Sequence, residues 1–145
     1  MNETTAPPGP ALGLDLGDSR IGVAVSDPDR RLAIPLGTVE VGVPPGELRS
    51  IANLVREHDA TVVVIGLPLS MAGEHGSRAR QVEAFADALR DIVPVAVELQ
   101  DERLSTVEAE RILRSAGVTG HGRRAVVDRT AAALILQAWL DASAG

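Results

Sequence analysis

Four acids are placed where they could do chemistry together: Asp15, the adjacent pair Asp101 and Glu102, and Asp128. Asp15 interrupts an alternating apolar stretch between Gly13 and Gly17, and an acid there is costly unless it is solvated, paired or holding a cation. A hard divalent cation such as Mg²⁺ takes one or two carboxylates and completes its shell with water and phosphate oxygens. Glycines beside the acid let a bulky substrate backbone approach. Three separate carboxylate positions, once brought together, are what two-metal hydrolysis of a phosphodiester needs, because the cations activate water and stabilise the leaving oxygen. Each acid also has a plainer use. Asp15 can bond to a nearby turn, and Asp101, Glu102 and Asp128 lie beside expected helix N-termini, where the macrodipole stabilises negative charge.

Composition removes other chemistries. The 145 residues include no cysteine, which excludes disulfides, thiolate zinc sites and cysteine nucleophiles. His58, His75 and His121 do not pair at the short helical spacing of zinc enzymes. A net charge of -6 argues against nucleic-acid binding by bulk electrostatics. All 14 bases, however, are arginine, whose planar fork suits phosphate oxygens. Arg111, Arg114, Arg123, Arg124 and Arg129 stand against Asp128 alone. That excess either grips a phosphate backbone or forms a solvated face balancing Glu108 and Glu110. Arg103 reads either as a phosphate clamp or as a salt-bridge partner for the acids beside it, and Arg20, in the turn after Asp15, is a further candidate for nucleic-acid contact. With one Phe, one Trp and no Tyr, base-by-base reading of a single strand is not expected. Met1–Pro10 carries no positive charge and no apolar run, so it reads as neither a secretory signal nor a transit peptide. No stretch approaches the roughly 20 apolar residues of a membrane span, and the expectation is a cytoplasmic protein.

The elements that must position these groups follow from periodicity. Residues 1–10 read as a flexible tail, with a single domain over 11–145. Leu12, Leu14 and Leu16 predict a strand, Gly17–Arg20 a turn and Ile21–Ser26 the returning strand of a hairpin. A third strand spans Leu32–Val41, with Pro35 marking an edge or a bulge. Glu47–His58 reads as an amphipathic helix and Thr61–Leu67 as a strand buried on both faces. Pro68–Gly76 is a loop long enough to be a site, with Ser70 and Ser77 as polar contacts; Ser77 also suits a helix cap. Val82, Phe85, Ala86 and Leu89 mark a second helix, and Val93–Leu99 a strand with Asp101 and Glu102 just beyond it. Ser105–Glu108 forms a capping box before a helix that stops at Gly117. A last helix, Ala125–Ala142, starts near Asp128 and turns Ala131, Leu134, Ile135 and Ala138 inward. The class is α/β: a mixed sheet with an antiparallel hairpin meander and parallel crossover strands, helices on both faces, in the element order of a ribonuclease-H-like fold. Functional groups gather beyond the carboxyl ends of parallel strands, which would bring Asp101 and Glu102 toward Asp15.

The segments LGLDLGDSRIGVAVSD (12–27), VVIGLPLSMAGEHGSRA (63–79), DERLSTVEAER (101–111) and DRTAAALILQAWL (128–140) resemble the YqgF/RuvX family. These are Holliday-junction-resolvase-like proteins, also described as pre-16S rRNA nucleases. The resemblance implies a ribonuclease-H-like fold, metal-dependent nuclease activity with Mg²⁺ or Mn²⁺, and a part in maturing the 5′ end of 16S rRNA during ribosome biogenesis. By position, Asp15 matches the first-strand catalytic Asp, Asp101 or Glu102 the acid of the DER motif, and Asp128 the acid of the final helix. On this reading Asp15, Glu102 and Asp128 hold metal, Asp101 assists, and Arg20, Arg103, Arg123, Arg124 and Arg129 bind nucleic acid. The partner is precursor 16S rRNA, a ribosomal precursor particle or branched DNA, for a monomer or a homodimer. The chain departs from the family pattern at Asp18 and Ser19, where a basic or small residue is common; an acid there works against substrate binding. The Asp15-Leu16-Gly17 turn also resembles the first phosphate loop of sugar kinases, actin and Hsp70-type ATPases, which need a second such domain. A non-catalytic RNA-binding or transcription-associated module is the other alternative.

Overall fold

A computed structural model describes residues 6–42, 46–68, 76–101 and 120–144, with side chains in the last stretch described from Thr130 to Ser143. Most of the loop after Pro68, the capping box and its helix, Glu102, Arg103, Arg111 and Arg114 lie outside the described residues. So do the side chains of Arg123, Arg124, Asp128 and Arg129.

Period-two alternation builds β1 (Ala11–Leu16), β2 (Arg20–Ser26), β3 (Ala33–Glu40) and β5 (Ala96–Asp101), and a continuous apolar run builds β4 (Val62–Leu67). They form one sheet in the order β3-β2-β1-β4-β5. β1, β2 and β3 pair antiparallel, while β4 lies parallel to both β1 and β5. With α1 (Gly46–Glu57) and α2 (Ser77–Arg90) as crossovers and α3 (Gly120–Ala144) last, this is the expected ribonuclease-H-like arrangement. Among the described residues no helix is long and apolar enough to cross a membrane.

The sheet separates two cores. Leu12, Leu14, Ile21, Val23, Val63 and Ile65 face α1 and α2 and pack on Ile51, Val55, Val82 and Leu89. Ala11, Ala24, Val62 and Val64 face α3 and pack on Ala132, Ile135, Leu136, Trp139 and Leu140. β4 feeds both cores, which is why its sequence is apolar without alternation.

α3 comes close to the sheet at Gly13: a Cβ there would lie 2.7 Å from Leu136 Cβ and 3.1 Å from the Ala132 carbonyl oxygen. That contact sets which face of α3 turns inward. Ala132, Ile135, Leu136, Trp139 and Leu140 are buried, whereas the expected Leu134 and Ala138 are half-buried. Alanines and leucines on several sides of this helix leave its periodicity ambiguous, and the close approach at Gly13 resolves it.

Other boundaries move for local reasons. β3 is an edge strand, and its pairing slips so that Val23 faces Gly37 while Ala24 faces Pro35, leaving Leu36 as the extra residue of a bulge. Pro35 therefore sits where the absence of an N–H is tolerated. β5 begins at Ala96 rather than Val93, because Val93 still donates to Leu89 O at the end of α2 (3.1 Å) and Pro94 has no N–H for the ladder. Ser77 is the first residue of α2 and not its cap; Gly76 occupies the N-cap without a side-chain bond. The N-terminal segment is tied down before Ala11. Gly9 N donates to Pro28 O (3.0 Å), Thr61 N donates to Pro10 O (2.8 Å), and Arg30 donates to Gly9 O (2.9 Å).

Two outcomes follow from this packing. Gly13→Ala is expected to lower stability by about 1–3 kcal/mol through overpacking against Leu136, read as a reduced urea midpoint; an unchanged midpoint would show that α3 has room to move away. Asp27, in the β2–β3 turn, accepts from the N–H groups of Leu32 (2.9 Å) and Arg31 (2.8 Å), and these bonds hold its carboxyl below the usual range. A depressed folded pKa contributes stability that is complete above the unfolded value and is lost as pH falls through the folded one. NMR titration of Asp27 is expected to give a midpoint below that of an aspartate in an unstructured peptide.

Candidate active site at the strand ends

The location of Asp15 follows from register. It pairs across the hairpin with Gly22. Because Leu14 lies level with Ile65, Asp15 lies level with Gly66, which pairs with Gln100. Side chains alternate along a strand, so Asp15 shares a face with Ala11 and Gly13, the face that α3 crosses. The row on that face reads Gly22, Asp15, Gly66, Gln100. The carboxylate is thus flanked on both neighbouring strands by residues without side chains, which removes steric competition from its immediate row.

α3 carries Asp128 toward the same end. Ala132 and Leu136 lie over Gly13, while the indole N–H of Trp139, further along, donates to Glu98 (3.1 Å) and its ring lies under Arg30, which is bonded to Gly9 O. The helix therefore runs antiparallel to β1. Position 128 is one turn before Ala132, about 6 Å along the axis, and Asp15 is two residues beyond Gly13, about 6.6 Å along the strand. The two positions come to the same end of the same face. Asp128 is also well inside α3, which begins at Gly120. Dipole stabilisation fades beyond the first turn, so it does not account for an acid there.

Asp101 is placed differently from the expectation. It is the last residue of β5 and pairs with Leu67, so it belongs to the row of Leu67 and Leu99 and faces α1 and α2, opposite Asp15. The sequence reading put Asp101 beyond the strand, where alternation would not constrain it; two further ladder residues, Gln100 and Asp101, reverse that. Gln100 takes the place on the Asp15 face. The alternation of Val95, Val97 and Leu99 carries that parity, and it reaches Gln100 and Asp101 because the ladder extends through them. Among the described residues no group of three His, Asp or Glu side chains could hold a metal ion. Asp15, a hard oxygen donor in an uncrowded row, is of the kind Mg²⁺ or Mn²⁺ takes.

The turn that follows Asp15 is closed by Gly17 N donating to Arg20 O (2.9 Å) and held to β3 by Val41 N donating to Ser19 O (2.9 Å). A Cβ on Gly17 would lie 2.7 Å from Arg20 O, so glycine is required. Arg20 opens β2 opposite Glu40. The unusual acid at Asp18 pairs with Arg78 of α2 at 2.8 Å, and the same guanidinium donates to Leu16 O and to Gln81 (3.3 Å). Nothing local in the sequence links Arg78 to a turn sixty residues away. A cleft of about 320 Å³ opens beside it, lined by Leu16, Ile21, Gln81, Val82 and Phe85 among others.

Residues 9–142 match the family model RuvX, described as Holliday junction resolvase. The chain belongs to the RuvX family. A RuvX relative from Nocardia farcinica is 50% identical over 140 residues, covering 92% of this chain and 78% of the relative. Another, from Chloroflexus aggregans, is 46% identical over 142 residues, covering 98% and 96%. Both carry the name "Putative pre-16S rRNA nuclease". Among solved structures, Thermus thermophilus RuvC in complex with Holliday junction substrate matches with a TM-score of 0.59 at 13% identity, covering 94% of this chain and 96% of that one. Fowlpox virus resolvase with Holliday junction DNA matches with a TM-score of 0.56 at 11% identity, covering 94% and 99%. At these identities the likeness is one of fold, and the fold is that of the RuvC resolvases. Family membership makes the chain a nuclease of this group.

The convergence of α3 on β1 has a direct check in a cysteine-free chain. With cysteine at positions 15 and 128, a short bifunctional thiol reagent is expected to form an internal cross-link, detected as a mass shift, whereas cysteines at 101 and 128 remain singly labelled. Equal cross-linking of both pairs would show that the strand end does not keep the two acids on opposite faces.

Proposed function

We propose that the chain is a Mg²⁺- or Mn²⁺-dependent endonuclease acting on structured RNA, processing the 5′ end of precursor 16S rRNA. The observation that carries the reading is Asp15: an acid within the sheet, flanked in its row by Gly22 and Gly66, on the face where α3 brings the Asp128 position to the same end. The names of the Nocardia and Chloroflexus relatives support the RNA substrate. Asp15, Glu102 and Asp128 are the residues that would hold the metal. Bound there, it would supply Lewis acidity and lower the pKa of water at the scissile phosphate. The opposite facing of Asp101 leaves Glu102, the next residue, as the better member of the pair for this role. Arg20, Arg103, Arg123, Arg124 and Arg129 would hold phosphates on either side, giving affinity without sequence discrimination.

Resolution of branched DNA is the second reading, favoured by the description of the family model. Both are tested side by side with a precursor 16S rRNA 5′ fragment and a synthetic four-way DNA junction, each with Mg²⁺, Mn²⁺ or EDTA. Cleavage of the RNA alone is expected, lost with EDTA and reduced about a hundredfold or more by Asp15→Asn, while Asp101→Asn stays within several-fold of wild type. Symmetric nicking of the junction alone would move the assignment to resolvase. A folded protein that cuts neither substrate with either metal would leave a binding module.

A further inference from the structure

The cleft beside Arg78 has no part in the carboxylate chemistry. It lies on the α1 and α2 side of the sheet, at the same end of β1 as Asp15, and the Gly17–Asp18 turn forms one wall of both regions. Its volume of about 320 Å³ falls within the range of small-ligand sites, about 300–1,000 Å³. Leu16, Ile21, Val82 and Phe85 make the lining largely apolar. Phe85 is the only phenylalanine of the chain, which has no tyrosine, and its one tryptophan, Trp139, packs in the opposite core. The cleft therefore holds a benzenoid ring against which a base can stack. Glu47, at its margin, has a buried carboxylate oxygen that lacks a hydrogen-bond partner among the described residues, and a ligand with amino or imino N–H groups would supply the missing donor.

Arg78 is fixed on its inner side by Leu16 O and Gln81. Among the described residues its remaining partner is Asp18, whose side chain is 95% exposed. A solvent-exposed ion pair of this kind contributes little, so another anion can replace it cheaply. A carboxylate on a guanidinium occupies the position that a phosphate takes more strongly. We propose that the cleft is a nucleotide subsite, in which one nucleoside monophosphate unit places its phosphate on Arg78 in exchange for Asp18 and its base against Phe85. The acid that departs from the family pattern is then a placeholder for substrate and not a barrier to it. This inference rests on the nuclease reading, because a strand that reaches Asp15 at the end of β1 would bring its adjoining nucleotide to the other side of the same turn.

The test is binding, by NMR and calorimetry, of guanosine and uridine 5′-monophosphates, the matching nucleosides, inorganic phosphate and the precursor rRNA fragment. At least one nucleotide is expected to shift the Phe85 ring and Arg78 Nε resonances and to bind about tenfold more tightly than its nucleoside or phosphate alone. Arg78→Lys is expected to weaken nucleotide binding about tenfold. Because that change also disturbs the bond to Leu16 O, Asp18→Asn decides the matter: it should tighten nucleotide and RNA affinity about three- to tenfold. The same charge change in Asp91→Asn, at the far end of α2, should leave affinity unchanged. Equal responses of those two variants, or no nucleotide-induced shift at Phe85 in wild type and Asp18→Asn, would overturn the proposal. Displacement of the mononucleotide by RNA supports a strand subsite, and simultaneous binding supports the same site used by a free nucleotide. Asp15→Asn separates this inference from the reading beneath it. If that variant abolishes cleavage and the cleft binds nothing, only the cleft assignment fails; if it cleaves normally, the catalytic reading fails whatever the cleft binds.

Discussion

Most of the architecture depends on the close approach between Gly13 and the turn of α3 at Ala132 and Leu136. Without a side chain at position 13, the helix settles low over β1 and buries Leu136, Ile135 and Leu140 against Ala24, Val62 and Val64. Each such large apolar side chain contributes roughly 1.5–3 kcal/mol on burial. The same contact fixes how far along its own axis the helix sits, since ridges at Ala132 and Leu136 seat on either side of one strand position. Polar bonds then stop rotation. Gln137 accepts from Ala33 N and donates to Arg31 O near one edge of the sheet, while Trp139 donates to Glu98 near the other.

Chemistry inherits that placement. A two-residue step beyond Gly13 on the strand and a one-turn step before Ala132 on the helix are nearly equal in length, so an acid at each comes to the same level without any special loop. Rigid elements carry both positions, which would suit a site that holds charged groups close together against their mutual repulsion. The glycines at 22 and 66 belong to the same design. They weaken the strands locally, since glycine loses more conformational freedom on folding, in exchange for an unobstructed row beside the carboxylate.

Much of this was legible in the sequence. Asp15 among alternating leucines, the hairpin after it, the buried β4 and the bulge at Pro35 all follow from period and local chemistry, and family resemblance joined the separate acids into one set. Two kinds of information were not local. Strand parity was one: β5 starts three residues later than its apolar run suggests, because Val93 is buried as part of the turn after α2. At its other end the strand runs two residues past Leu99, and that extension puts Asp101 on one face and Gln100 on the other. The Arg78 bonds to Asp18 and Leu16 were the second, joining residues sixty positions apart whose proximity depends on the α2 crossover packing beside β1. The inward face of α3 lay between these cases, since its apolar residues spread around the helix and only Gly13 selects among them.

The short segment Pro8–Pro10 lies at the opposite pole from the carboxylates. It is held by Thr61 at the start of β4 and by Arg30 after β2, whereas Asp15 lies at the far end of β1, about 20 Å away along an extended strand. An affinity handle, fluorophore or surface anchor attached at Pro8–Pro10 therefore sits at the pole opposite Asp15. Immobilised through that segment, the molecule would present the carboxyl end of β1 outward.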